Sequence, residues 1–526
     1  MASQLLAGGN SGVPGDNLPL FWGVPFAGML LSIALFPLVM PHFWHQNYGK
    51  VALFWAVIFT IPFSMRFEQD AVYEIVHILL LDYVPFIILL ATLFTAAGGI
   101  CLKGTLRGSP ALNTFILALG TCLASFMGTT GAAMLLIRPL IRANSWRKNQ
   151  VHLMVFFIFL VANIGGSLLP LGDPPLFLGF LKGVDFFWTL RLFKMMLPLS
   201  IVLLVIFFLV DTMLYKKEGP PPEDGEKEPI RLEGNINFLF LAAIIGAILF
   251  SSSLSKTPAF FDSELYESKT AEVERASNEV LVIEDQLKAY VAEHGKELAK
   301  VSENLQKMRE NHQHAVGHAN GLRSAQVHDA TKGLHPFGVL LPFTNILRDG
   351  LLVLIAILSL VFTKKSTRED NFFTWEPILE VAKLFFAIFL TIIPVLKILQ
   401  AGIDGELSPI IWAVLGPDDQ PINAMYFWLT GILSSFLDNA PTYVVFFNTA
   451  GGDAGSLMTT YSQTLLAIST GAVFMGANTY IGNAPNFMVK AIAEENEIKM
   501  PSFFGYMLWS FGILGPIFIV MTFIFF

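Results

Sequence analysis

Residues 195–214, MMLPLSIVLLVIFFLVDTML, carry a single charged side chain, Asp211. A helix of about 20 apolar residues crosses a bilayer core, since each residue adds about 1.5 Å and the hydrocarbon is about 30 Å thick. Similar runs recur along the 526-residue chain, which is 54% hydrophobic and 14% charged; soluble domains carry about 25% charge. In lipid every backbone N–H and C=O must be satisfied within the protein, so only helices and closed barrels span. Barrel strands alternate polar and apolar residues, and these runs do not. The sequence therefore predicts an all-α polytopic membrane protein with the lipid bilayer as its main partner. The net charge of −8 says little, because lipid hides most of the surface. No nucleic-acid signature occurs, and residues 1–18 lack the basic start of a cleavable signal. Cys101 and Cys122 read as small packing residues, not as a disulfide framework.

Spans are expected near 19–41, 50–65, 76–100, 150–181, 192–214, 235–253, 338–361, 376–400, 461–490 and 503–526. Two further apolar stretches, 111–141 and 421–450, are each broken by a polar tip, Gly128-Thr129-Thr130-Gly131 in the first and Asp438-Asn439-Ala440-Pro441 in the second. Lys103, Arg107, Arg142, Arg147 and Lys148 make both flanks of the first stretch basic, hence cytoplasmic. The flanks of the second, GPDDQP and GGDAGS, are not basic and are expected outside. Each stretch is then a re-entrant hairpin, and the two enter from opposite faces. The implied organisation is an N-terminal tail at 1–18, a leading helix at 19–49, a first repeat at 50–217, a linker and helix at 218–255, an inserted extramembrane segment at 256–335, and a second, inverted repeat at 336–526.

The insert holds 23 of the 74 charged residues and six of the ten histidines. Its pattern is that of an amphipathic helical hairpin, with breaks expected at Gly295 and Gly317, on the external (periplasmic) side. His312, His314 and His318 are weighed as metal ligands, but solvated helix is the preferred reading.

SFMGTTGAAM begins at Ser125 and SFLDNAPTYV at Ser435, an offset of 310. The same offset relates GDPP at 172–175 to GNAP at 482–485. Two polar breaks repeated at one spacing point to inverted repeats, in which discontinuous helices place a binding site near the bilayer midplane. Pro174, Pro175 and Pro485 free carbonyls of the preceding turn, and irregular backbone at that depth is tolerated only against protein or a wet cavity. Thr129, Thr130, Asn439, Asn478, Thr479 and Asn483 offer oxygens to a small cation, and Gly128, Gly131, Gly166, Gly172 and Gly482 let backbone come close. Asn163 is a candidate cavity residue. Asp173 and Asp438 are the deciding acids: a buried carboxylate must be paired, metal-bound or protonated, so it can exchange a proton for sodium. Helix capping is the alternative for both. Glu74, Asp82 and Glu380 are candidates for a proton pathway, with a structural role as the alternative; Glu380 and Lys383 are spaced to pair on one helix face.

GTTGAAMLLIRPLI, GGSLLPLGDPPLFLGF, SFLDNAPTYVVFFN and GANTYIGNAPNFMVKAI resemble the NhaD-type sodium/proton antiporters of the ion transporter superfamily. The resemblance covers roughly 15–250 and 335–526. It implies inverted repeats, each with a re-entrant hairpin and a broken helix, and a homodimer in a bacterial inner (plasma) membrane. Sodium and protons are then the transported species, with lithium as a further candidate, and no organic cofactor is implied. In the symporter branch of the superfamily a carboxylate substrate sits between tips bearing Ser-Asn-Thr; an acid at Asp438 departs from that pattern and would repel a dicarboxylate. The expected activity is sodium/proton exchange by alternating access. The alternatives are a sodium-coupled carboxylate or anion symporter and an arsenite-type metalloid extruder, for which Cys122 near the first tip is the one hint. No Walker pattern occurs, so energy comes from ion gradients or a partner subunit; under the exchange reading no ATPase subunit is required, and nothing in the pattern suggests an enzyme.

Overall fold

The structure, a computed structural model, describes residues 12–218, 229–294, 302–416 and 419–526. It is an all-α membrane protein with only two small two-stranded ladders among the described residues. The break expected at Gly295, the start of the 1–18 tail and part of the 218–255 linker lie outside the described residues.

Seven helices among the described residues are long and apolar enough to cross a bilayer, or eight if Glu376–Thr391 and Ile393–Gln400, bent by 41° at Pro394, form one span. Ten spans were expected, and the difference has physical causes. Two spans are broken into halves too short to qualify alone. The 57-residue helical stretch Pro41–Ala97 would be about 86 Å long if straight, but Glu68 (φ 46, ψ −113) interrupts it. Tyr48 lies against Lys383, and Phe86 packs against the nearby Phe385. Residues on either side of Glu68 thus reach the same turn of one helix, so the chain doubles back there. Pro110–Met127 is long enough to span yet forms a hairpin arm.

The 310-residue offset relates structural elements as well as motifs. Helix Phe193–Glu218 begins 310 residues before helix Phe503–Phe525. The hairpin Pro110–Met127 and Thr129–Ala143 repeats as Asn423–Phe436 and Asn439–Thr449. The broken helix Val151–Leu160 and Pro174–Leu181 repeats as Ser462–Met475 and Ala484–Glu495. Even single bonds recur: Ser125 Oγ donates to the Gly165 carbonyl at 2.5 Å, and Ser435 Oγ to the Met475 carbonyl at 3.0 Å.

Both hairpins close at their bases. Gly108 N–H donates to Ala143 O at 2.7 Å, and Tyr426 Oη to Thr449 O at 3.4 Å. Half-helix Pro174–Leu181 leaves the centre beside the second hairpin's return arm, where Gly179 touches Tyr443; Ala484–Glu495 packs on the return arm of the first. The broken helix starts at the first hairpin's base and ends at the second's, so the two hairpins enter from opposite faces. A buried cluster fixes the first base: Asp211 accepts from Arg147 Nη1 (2.5 Å) and Asn113 Nδ2 (2.8 Å) and pairs with His152 Nε2 (2.8 Å).

The insert is an antiparallel pair, Ser263–His294 and Ser302–Ala330. Gly317 does not break the second helix, contrary to the sequence reading. Glycine costs a helix about 1 kcal/mol, and here side chains on both sides of Gly317 anchor the helix to the protein. Arg309 Nε donates to Asp419 Oδ1 (2.5 Å), its Nη2 to Gly416 O (3.0 Å), and buried His312 Nδ1 lies 3.3 Å from Asp419 Oδ2. Arg323 Nη1 donates to Asp453 Oδ2 (3.0 Å) and to Ser456 Oγ (2.7 Å). Asp419 and Asp453 stand just before and just after the second hairpin, so the insert grips both its flanks. Among the described residues no histidine, cysteine and acidic cluster of metal-site type occurs; His314 lies near Asp404 instead.

Removing one partner of a buried ion pair leaves the other unpaired, at a cost of roughly 3 kcal/mol. Asp419→Ala is expected to raise hydrogen exchange across 302–330 without changing it in 110–143. Equal exchange in both proteins would show that the grip carries no stability.

Candidate ion site

The two tips and the two breaks meet at Asp173. Its residue is 1% exposed. It stands at the N-cap position of Pro174–Leu181, but its side chain makes no capping bond. The reason is local: two prolines follow and offer no N–H to cap. The carboxylate is therefore free to turn inward, with the positive end of a half-helix behind it.

Three neutral donors, each from a different element, surround it. Asn439 Nδ2 at the second tip donates to Oδ2 at 2.6 Å. Asn483 Nδ2 at the second break donates to Oδ1 at 2.9 Å. Thr129 Oγ1 at the first tip lies 3.3 Å from Oδ1. Asp173 and Asn483 are themselves 310 residues apart, as are Thr129 and Asn439, so the site sits where each repeat meets its own image. No Lys, Arg or His among the described residues pairs with Asp173. Asn439 Oδ1 and Asn478 Oδ1 are buried acceptors with no hydrogen-bond partner. A buried carboxylate without a counter-charge, beside an unused amide oxygen, is what a small hard cation or a proton would satisfy.

Gly128 has φ +79 at the first tip, a conformation that disfavours side chains. A Cβ on Gly172 would collide with the Gly166 backbone, one on Gly482 with the Gly476 backbone, one on Gly166 with Thr129 and Gly172, and one on Gly131 with Ala97. Asn163 Nδ2 donates to Asn486 Oδ1 at 2.6 Å, and its own Oδ1 accepts from Asn483 at 3.2 Å. Thr479 Oγ1 donates to Ser435 O, and Asn478 Nδ2 donates to Ser435 Oγ at 3.0 Å, tying the second break to the second tip.

Other candidates lie apart. Asp438 Oδ1 accepts from Ala440 N–H at 3.0 Å and caps Asn439–Thr449, while staying within electrostatic range of Asp173. Its image in the first repeat is Gly128, so the two acids are not mirror partners. Thr130 is half-buried and makes no hydrogen bond to Asp173. Asp82 pairs with Lys182, and Glu74 with Lys397 at 2.6 Å. Glu380 is half-buried, and Lys383 lies over the Tyr48 ring. Cys122 is exposed and supplies no thiol to the site.

Sequence reasoning missed Asn486, whose Nδ2 donates to Gly476 O (2.8 Å) and Thr479 O (2.9 Å) and holds the second break open. Its image is Leu176, so the repeat gave no signal. Ser125 and Ser435 were also missed, although they open the two repeated motifs.

A sequence profile described as "Putative citrate transport" matches residues 15–311 and 315–526. The chain belongs to that family. It lies in the ion transporter superfamily, as the motifs implied, and the match takes in the inserted hairpin apart from residues 312–314. No curated protein matches.

Asp173→Asn is expected to abolish sodium-dependent thermal stabilisation of the purified protein. Asp438→Ala should lose about 1 kcal/mol as a missing cap and keep the sodium response. The reverse ranking would move the site to Asp438.

Proposed function

We propose that this protein is a cation-coupled secondary transporter that works by alternating access, with Asp173 as the acid that takes the coupling ion, sodium or a proton. The observation that carries this reading is the buried Asp173 carboxylate, held by Thr129, Asn439 and Asn483 with no cationic partner among the described residues. Charge placed there needs a cation, and Asp173 and its three donors belong to four elements that must part for access from either face. A proton or sodium at Asp173 neutralises the site and lets the halves close over it.

The family's description favours a carboxylate of the citrate kind as the cargo. We take coupled carboxylate transport as the leading reading. Sodium/proton exchange of the NhaD type is the second, favoured by Asp438 beside the same tips, where a dianion meets like charge. On either reading the positive-inside bias puts the inserted hairpin on the external face, and a homodimer fits the superfamily.

Proteoliposomes separate the two. With coupled carboxylate transport, an inward sodium or proton gradient drives accumulation of labelled citrate, and Asp173→Asn removes it. With exchange, sodium added outside releases internal protons and citrate is ignored. Gradient-independent citrate leak, or neither flux, would contradict cation-coupled transport.

A further inference from the structure

Among the described residues the candidate ion site contains no positive charge for a carboxylate, yet a lysine stands at the other end of the half-helix that starts at Asp173. A narrow cavity of about 10 Å³, room for about one water molecule, lies between helical segments 78–82 and 385–396 on one side and 178–182 and 441–444 on the other. Its second wall is built by the two elements that carry Asp173 and Asn439: Leu178 is five residues beyond Asp173, and Pro441 two beyond Asn439. The cavity therefore adjoins the ion site. Only two of its lining residues are charged, Asp82 and Lys182.

Lys182 closes half-helix Pro174–Leu181, about 13 Å along the axis from Asp173. Its ammonium sits 3.3 and 3.5 Å from the two oxygens of Asp82, a long and loosely held pair. Asp82 sits in a π-helical turn, Leu79–Tyr83, a distortion found often at functional positions. The partners sit on different bodies: Asp82 on the helix packed against 376–391, Lys182 on the half-helix packed against the second hairpin.

We propose that Lys182 is the anion-binding residue of the transporter, and that a substrate carboxylate displaces Asp82 from it. This rests on the carboxylate-cargo reading. Lys182 is already partly buried, its side chain 21% exposed, so exchanging one carboxylate for another adds only part of the usual desolvation cost. The exchange parts the two bodies, because Asp82 leaves with its own helix. It also leaves Asp82 unpaired in an apolar cavity, where it needs a cation. Binding of the anion thereby calls for sodium or a proton on the same path as Asp173. The pair Asp82–Lys182 closes the cavity when no substrate is present and opens it when one arrives.

The test is labelled-citrate uptake into proteoliposomes of the full-length protein under an inward sodium or proton gradient, with citrate-induced thermal shift in detergent as a second readout. Lys182→Met is expected to raise the half-saturating citrate concentration about tenfold or more while keeping the sodium-induced thermal shift that reports an intact fold. Lys182→Arg should restore most of the affinity. Asp82→Asn should lower the half-saturating concentration by removing the competing carboxylate. If Lys182→Met lowers only the maximal rate, or if the Lys182→Met/Asp82→Asn double variant matches wild type, the pair is a structural strut and the proposal falls. If the wild-type protein neither moves nor binds citrate, succinate or malate, the carboxylate reading itself fails and this one with it.

Discussion

A carboxylate held by neutral groups in the middle of a membrane protein is the constraint on which this structure turns. Asp173 is bonded by two amides and a hydroxyl, none of which carries charge. Hydrogen bonds offset part of the cost of taking a carboxylate out of water, but an unpaired buried ion remains expensive. An arginine or lysine at this point would settle the charge permanently and leave nothing to exchange. Neutral donors hold the side chain in place and leave its charge to a mobile cation. The prolines after Asp173 serve the same end, since they deny the carboxylate the capping role that its position would otherwise give it.

The surrounding architecture follows from placing that acid where two inverted repeats meet. Each half-helix leaves the centre along the hairpin of the other repeat, so a shift of either hairpin carries a wall of the site with it. Close glycine pairs, Gly166 with Gly172 and Gly476 with Gly482, let the backbone turn back on itself at each break. The symmetry is imperfect in useful ways. Asp173 faces Asn483, so the two repeats together hold one acid at the crossing. The inserted hairpin grips the flanks of the second hairpin through Asp419 and Asp453, and the buried Arg147–Asp211–His152 cluster fixes the base of the first.

Much of this was legible in the sequence because an offset of 310 residues survives in chemistry as well as in shape. Two polar breaks in apolar runs located both tips, both broken helices and Asp173 with its partners Thr129, Asn439 and Asn483. What stayed hidden has no counterpart at that offset, or joins residues far apart in the chain. Asn486 maps onto Leu176. Lys182 looks like a solvated end of a span until Asp82, 100 residues earlier, is seen beside it. Asp211 gave no hint of Arg147 and His152, since contacts between packed helices leave no local pattern. Asp438 takes the capping role that the sequence left open, for a simple reason: an acid at the start of a helix caps it by default, and no proline at the next position prevents it. Gly317 misled because a glycine's intrinsic cost is small beside two anchored arginines.

The account is tested most directly by counting protons when sodium binds. Sodium titrated calorimetrically into the purified protein, in buffers of different ionisation enthalpy, gives the number released. If one acid at the crossing holds either ion, between zero and one proton leaves per sodium, the number rises toward one as pH falls, and sodium affinity weakens in step. Sodium binding that is independent of pH and releases no proton would contradict the claim that Asp173 exchanges the two.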